Sequence, residues 1–154
     1  MHVWRISKAK FAEAAFTGEG ARLFDGRWNF QGVPMVYTSS SLALAAVEFF
    51  VHLDPSDAPD DLVSLKTELP DGFNIERMQE DRLPLNWRRV DNRHLQEMGS
   101  KWVKLKSSVA LVVPSAVVEE EWNVLLNPTH PDFAAIAVER AKPFRYDERM
   151  FKRV

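Results

Sequence analysis

Apolar and polar residues alternate along Val3 to Ile6 and again along Leu62 to Leu69, and both patterns predict short strands. In the second, Val63, Leu65, Thr67 and Leu69 fall on one face, with Ser64, Lys66 and Glu68 on the other. Met35 to Thr38, entered through Gly32 and Pro34, predicts another strand. Ser108 to Val113 is a continuous apolar run stopped by Pro114, and Val124 to Leu126 is a shorter one. Ala134 to Val138 and Phe144 to Tyr146 read as further strands, which brings the expected number to about six.

Helical spacing marks two segments. Ser39, Ser40 and Ser41 offer N-caps for a helix running to about Leu53, where Asp54, Pro55 and the acidic stretch to Asp61 stop it. Apolar side chains surround that helix on every side, so it is expected to be buried. Leu95, Met98, Trp102 and Leu105 recur at intervals of three and four, predicting a second helix over 91–105. Asp71 to Asn86 is polar and reads as irregular. Helices interspersed with mostly non-sequential strands point to the α+β class.

Composition narrows the picture. A chain of 154 residues with 45% hydrophobic content fits one domain, residues 1–154, with one core. Lys and Arg number 20 against 22 Asp and Glu, so no global field gathers nucleic acid or an anionic membrane, and direct nucleic-acid binding is not expected. The absence of cysteine excludes disulfides and thiolate chemistry and suits a reducing compartment. Leu42 to Val47 is the longest apolar run, far short of the ~20 residues a membrane helix needs, and no signal-peptide pattern precedes it. A cytoplasmic location is the resulting expectation.

Candidate chemistry begins with Glu48, the only charge between Ser39 and His52. Burying a carboxylate without partners is costly, so its presence there fits either a functional group or a structural ion pair. Gly18, Gly20, Gly26 and Gly32, four of the six glycines, lie in the loop that carries Arg27, whose planar fork suits a phosphate or carboxylate but also braces loops. Tyr37 ends a strand just before the Glu48 helix, where its ring either stacks on a flat heterocycle with its hydroxyl in water or sits as an ordinary strand residue. Ser115 follows Pro114 at a strand end, as a hydrogen-bonding group or a plain turn cap. Glu48 and His52 share a helix face, yet no third metal ligand accompanies them, and no metal is expected. The histidines form no triad pattern with a serine. Arg88, Arg89, Arg93, Lys101, Lys104 and Lys106 form a basic cluster suited to an acidic partner or simply to solvent.

In order and wording these blocks resemble the RES-domain toxins, a family named for an Arg, a Glu and a Ser. The resemblance runs through Trp4-Arg5-Ile6, Gly18-Glu19-Gly20, Gly26-Arg27-Trp28-Asn29, Val36-Tyr37-Thr38, Ala45-Ala46-Val47-Glu48-Phe49, Val113-Pro114-Ser115 and Asn123-Val124-Leu125-Leu126-Asn127-Pro128. Asp25 stands where the family often has glycine. The resemblance implies an ADP-ribosyltransferase-like fold, with a small mixed or antiparallel β core flanked by helices. It implies a toxin that consumes NAD by hydrolysis or phosphorolysis of the nicotinamide–ribose bond, or that transfers ADP-ribose to a protein. Its implied partner is a helix-turn-helix antitoxin. Arg27 and Glu48 would be catalytic, Arg27 also fixing the diphosphate, Tyr37 lying near nicotinamide and Ser115 positioning its ribose or amide. A metal is not required, because nicotinamide leaves NAD from an already cationic ring.

Overall fold

In the computed structural model, which describes residues 1–151, seven strands join into one sheet. They are β1 (His2–Lys8), β2 (Val36–Ser39), β3 (Leu62–Glu68), β4 (Ile75–Arg77), β5 (Ala110–Pro114), β6 (Trp122–Leu126) and β7 (Lys142–Phe144). Their spatial order is β4-β5-β6-β2-β1-β3-β7, antiparallel throughout except for the parallel β4–β5 pair. Three α-helices accompany them: α1 (Glu19–Leu23), α2 (Leu42–Phe50) and α3 (Arg93–Leu105). The class is α+β, as the order of elements predicts. No helix among the described residues is long and apolar enough to cross a membrane.

Both faces of the sheet carry core. Along β5, Leu111 and Val113 pack with Trp28, Met35, Leu95, Trp102, Val103 and Leu125, which seats α3 on one face. The alternate residues Ala110 and Val112 join Val3, Val36, Leu65, Val124 and Leu126 on the other. Strands buried on both faces read as continuous apolar runs, which is why 108–113 shows no alternation.

Helix α3 starts where Asn92 Oδ1 accepts from the backbone N–H groups of His94 (3.1 Å) and Leu95 (3.4 Å), and it ends at Lys106 in the left-handed region, φ 50°. Gly99 lets α3 touch the loop before β2: a Cβ there would lie 1.9 Å from the carbonyl oxygen of Trp28. Neither backbone can yield. Gly99→Ala is therefore expected to destabilise the protein by about 1–3 kcal/mol, outweighing the ~1 kcal/mol that Ala gains over Gly within a helix. A thermal melt checks this, and an unchanged or raised Tm would contradict it.

Three expectations need correction. Helix α2 buries only Leu44 and Ala45 and ends at Phe50 rather than Leu53. It lies on β1 and β2 at the side of the sheet, and Phe49 and Phe50 stay partly exposed beside an aromatic group that includes Tyr146 and Phe151. Its last amides turn back three residues, His52 to Phe49 and Leu53 to Phe50, tightening the end. The segment expected as a strand over 134–138 is instead a 3₁₀ turn, Pro131–Ala135, set by Pro131 and by His130 Nδ1 accepting from the Asp132 amide, with only Val138 bridging Thr67. The last strand is Lys142–Phe144, earlier than expected, and its Pro143 is tolerated because β7 is an edge.

Candidate active site

Strands β1 and β2 pair at the single position Trp4↔Ser39 among the described residues. Beyond it the guanidinium of Arg5 takes the place of strand pairing, with Nη1 donating to the Tyr37 carbonyl oxygen at 3.1 Å. A cavity of about 320 Å3 opens there, lined by Trp4, Arg5, Tyr37, Ser39, Glu48, His52 and Asn123 among others. Arg5 and Tyr37 also line a second cavity of about 210 Å3 that reaches the glycine-rich loop. The two cavities share Arg5 and Tyr37 as wall residues and lie side by side as a two-part slot, and their combined size falls in the roughly 300–1,000 Å3 range of small-molecule sites.

Glu48 enters the larger cavity from α2, whose first turn is fixed by Ser41 Oγ accepting from the Leu44 amide at 3.0 Å. Two donors converge on Glu48 Oε1: Ser115 Oγ at 2.6 Å and Asn123 Nδ2 at 2.6 Å. The direction of each bond follows from its other partners. Ser115 Oγ already accepts from the amides of Val117 (3.1 Å) and Val118 (3.0 Å), so its hydrogen goes to Glu48. Asn123 Oδ1 accepts from Ser39 Oγ at 2.7 Å, so its NH2 faces Glu48. No protein donor reaches Oε2 among the described residues. One carboxylate oxygen is held and the other is left for whatever occupies the cavity.

Of the sequence-predicted residues, Ser115 bonds to this carboxylate and Tyr37 shares its cavity, whereas Arg27 is a lining residue of neither cavity. Ser115 is 1% exposed and sits behind Glu48, so its hydroxyl orients the carboxylate rather than meeting open space. Tyr37 lines both cavities, but its hydroxyl is not in water: it donates to Asn29 Oδ1 at 2.6 Å and accepts from the Trp28 amide at 3.0 Å. Burial pushes its phenol well above the usual tyrosine range, so it stays a neutral wall of the slot. Gly26 makes that contact feasible, because a Cβ there would lie 2.5 Å from both the Tyr37 hydroxyl and Asn29 Oδ1.

Arg27 is half-buried and spends Nη1 on the carbonyl oxygens of Trp87 (3.0 Å) and Arg89 (3.2 Å), bracing the loop before α3. Burial lowers its pKa from the ordinary arginine value, while the fields of Glu48 and Tyr37 oppose that shift. Arg27 thus feels Glu48 without an ion pair to it among the described residues. The structural ion pair considered for Glu48 is not formed there. Of the basic cluster, Arg88 pairs with Glu119 and donates to the Ala116 carbonyl oxygen, tying down the loop after Ser115.

Arg5 and Asn123 are site residues that residue-by-residue reading passes over. Arg5 has no acidic partner among the described residues, and its Nε is sealed from solvent with no hydrogen bond. Burial lowers its pKa, only partly opposed by Tyr37. A guanidinium so placed is suited to an anion entering the slot. No group of three or more His, Cys, Asp or Glu able to hold a metal occurs among the described residues.

Comparison with known proteins gives a consistent picture. The family model for the RES domain matches residues 2–147. The "Toxin Res" of Photorhabdus laumondii is 36% identical over 154 residues, covering 99% of this chain and 98% of the relative. The "Prs ADP-ribosylating toxin" of Sphingobium sp. is 37% identical over 155 residues, covering 97% and 96%. Among solved structures, a chain of the M. tuberculosis MbcT–MbcA toxin–antitoxin complex shares the fold, with a TM-score of 0.68 over 94% of this chain and 84% of that one, at 16% identity. With the family model matched over nearly its whole length and relatives above a third identical end to end, this chain belongs to the RES domain family.

Proposed function

We propose that this protein is the toxin of a toxin–antitoxin pair and that its slot cleaves the nicotinamide–ribose bond of NAD. The observation that carries the reading is Glu48: a carboxylate anchored through one oxygen, open through the other, in a cavity bordered by a partly buried guanidinium with no acidic partner among the described residues. Breaking a glycosidic bond develops positive charge on the sugar, and a fixed carboxylate in a partly enclosed site stabilises that charge without reorganising.

In the step itself the C1′–N bond of NAD breaks and its electron pair leaves with nicotinamide, which becomes neutral. An acceptor oxygen then bonds to C1′ and gives up its proton. Glu48 Oε2 faces the developing cation or a ribose hydroxyl, Ser115 and Asn123 position Glu48, and the Tyr37 ring lies against the nicotinamide end. Arg5 holds the diphosphate, while Arg27 adds positive field from the braced loop. No metal enters these steps.

Water or phosphate as acceptor gives NAD hydrolysis or phosphorolysis and depletes the nucleotide. The name of the Sphingobium relative favours a second reading, transfer of ADP-ribose to a protein. Incubating pure protein with NAD, with and without phosphate, and identifying products by mass separates the first two. NAD left intact under both conditions would overturn both, and ADP-ribose found only on a protein of an added lysate would select transfer.

The structural neighbour was solved as part of a toxin–antitoxin complex, and the partner we propose for this chain is a cognate helix-turn-helix antitoxin covering the slot. Co-expression with the adjacent gene's product is expected to stop nicotinamide release. A complex that releases nicotinamide at the free protein's rate would contradict this arrangement.

A further inference from the structure

The glycosidic chemistry occupies the Glu48 cavity and leaves the second cavity, of about 210 Å3, unassigned. Its wall includes Gly18, Gly20, Phe24, Asp25, Gly26 and Asn29, and it shares Arg5 and Tyr37 with the wall of the first cavity. Phe24 is 72% exposed, immediately after α1, and packs in no aromatic pair among the described residues. An aromatic ring so exposed on a cavity wall contributes little to the core, yet offers a face to a planar ligand. Asp25 Oδ1 accepts from the Gln31 amide at 2.5 Å, and its other oxygen has no protein donor among the described residues. Arg22, the nearest cation in sequence on the α1 side, is held by Glu19 and does not neutralise it.

We propose that this second cavity is the adenosine subsite, that Phe24 stacks on the adenine, and that Asp25 accepts the adenosine 2′-hydroxyl and so selects NAD over NADP. The inference rests on the reading of Glu48 as the group at the nicotinamide ribose. With that end fixed, the diphosphate would lie at Arg5, which borders both cavities, and the adenosine would take the glycine-lined side. Glycines there let ligand and backbone approach closely. An acidic side chain accepts from a ribose hydroxyl but repels a 2′-phosphate, the same logic by which dinucleotide folds distinguish the two cofactors.

The test uses full-length protein, wild type and the exposed-site variants Phe24→Ala and Asp25→Asn, the latter keeping an oxygen for the Gln31 amide. AMP and adenosine 2′,5′-bisphosphate are titrated by calorimetry, and kcat/KM is measured with NAD, NADP and nicotinamide mononucleotide. Phe24→Ala is expected to weaken AMP about tenfold, in the range for loss of a base-stacking partner, and to lower the NAD-to-mononucleotide ratio of kcat/KM similarly. Wild type is expected to bind the bisphosphate at least about tenfold more weakly than AMP and to favour NAD over NADP, with Asp25→Asn narrowing both gaps. No AMP binding, AMP affinity unaffected by Phe24→Ala, or a bisphosphate bound as well as AMP would overturn the subsite. Loss of the glycosidic reading looks different: AMP binding follows the expected pattern while no nicotinamide is released.

Discussion

Glu48→Gln is expected to reduce nicotinamide release by about 10^3-fold or more in kcat while leaving the fold intact. Gln matches Glu in shape, and its amide oxygen can still accept from Ser115 Oγ and Asn123 Nδ2. What disappears is the charge opposite the developing sugar cation, and removing one preorganised electrostatic contact already costs about 10^2–10^3 in rate. Because no ion pair joins Glu48 to an arginine among the described residues, nothing charged is stranded by the change. Stability is expected within about 0.5 kcal/mol of wild type, as for a substitution that breaks no packing. Activity and a thermal melt measured together decide the matter. A folded variant that still releases nicotinamide at the wild-type rate would remove Glu48 from the chemistry, and a collapsed Tm would mark it as structural.

Arg5→Met is likewise expected to separate stability from activity. Arg5 is a partly buried charge with no acidic partner and an unpaired Nε among the described residues, so in the free protein it costs stability. Replacing such a group by an apolar one of similar length is often neutral or stabilising. Tm is expected to stay within a few degrees of wild type, at about 2–4 °C per kcal/mol for a chain of this size, because relief of the buried charge is offset by the donor that the Tyr37 carbonyl oxygen loses. Activity is not spared: kcat/KM for NAD falls by about 10^2-fold or more, since the diphosphate loses a charge-assisted partner. The loss is expected mainly in KM, because the contact is made in the ground state as well. A variant that lost stability and kept its KM would make Arg5 a structural residue of the β1–β2 junction.

Much of the architecture is legible in the chain because burial imposes a period. Strands β1, β2, β3 and β5 and helix α3 each carry enough consecutive residues for alternation, apolar runs or helical spacing to emerge. Strand β4 does not: Ile75–Arg77 is three residues long with one apolar side chain, and it becomes a strand only because β5 offers a parallel edge from more than thirty residues away. Helix α1 is similarly hidden, since its five residues, set within the glycine-rich segment, have no apolar stripe.

The site shows the same division. Glu48 stands out because a charge interrupts an apolar helix, a signal contained within one element. Arg5 follows Val3 and Trp4 on an ordinary strand, and only the opening between β1 and β2 distinguishes it from a surface arginine. Asn123 depends on register, Ser39↔Asn123 across β2 and β6, which no local pattern encodes. For Arg27 the chemistry of the side chain is evident, but its use is not: the carbonyl oxygens it satisfies belong to residues about sixty positions along the chain.

The most direct measurement is a crystal structure of the Glu48→Gln protein soaked with NAD. The expected result is the nicotinamide ribose beside the side chain at position 48, with C1′ facing the cavity between β1 and α2 and the diphosphate against Arg5. NAD bound on another surface, or lying in the slot with its nicotinamide ribose remote from position 48, would contradict the account.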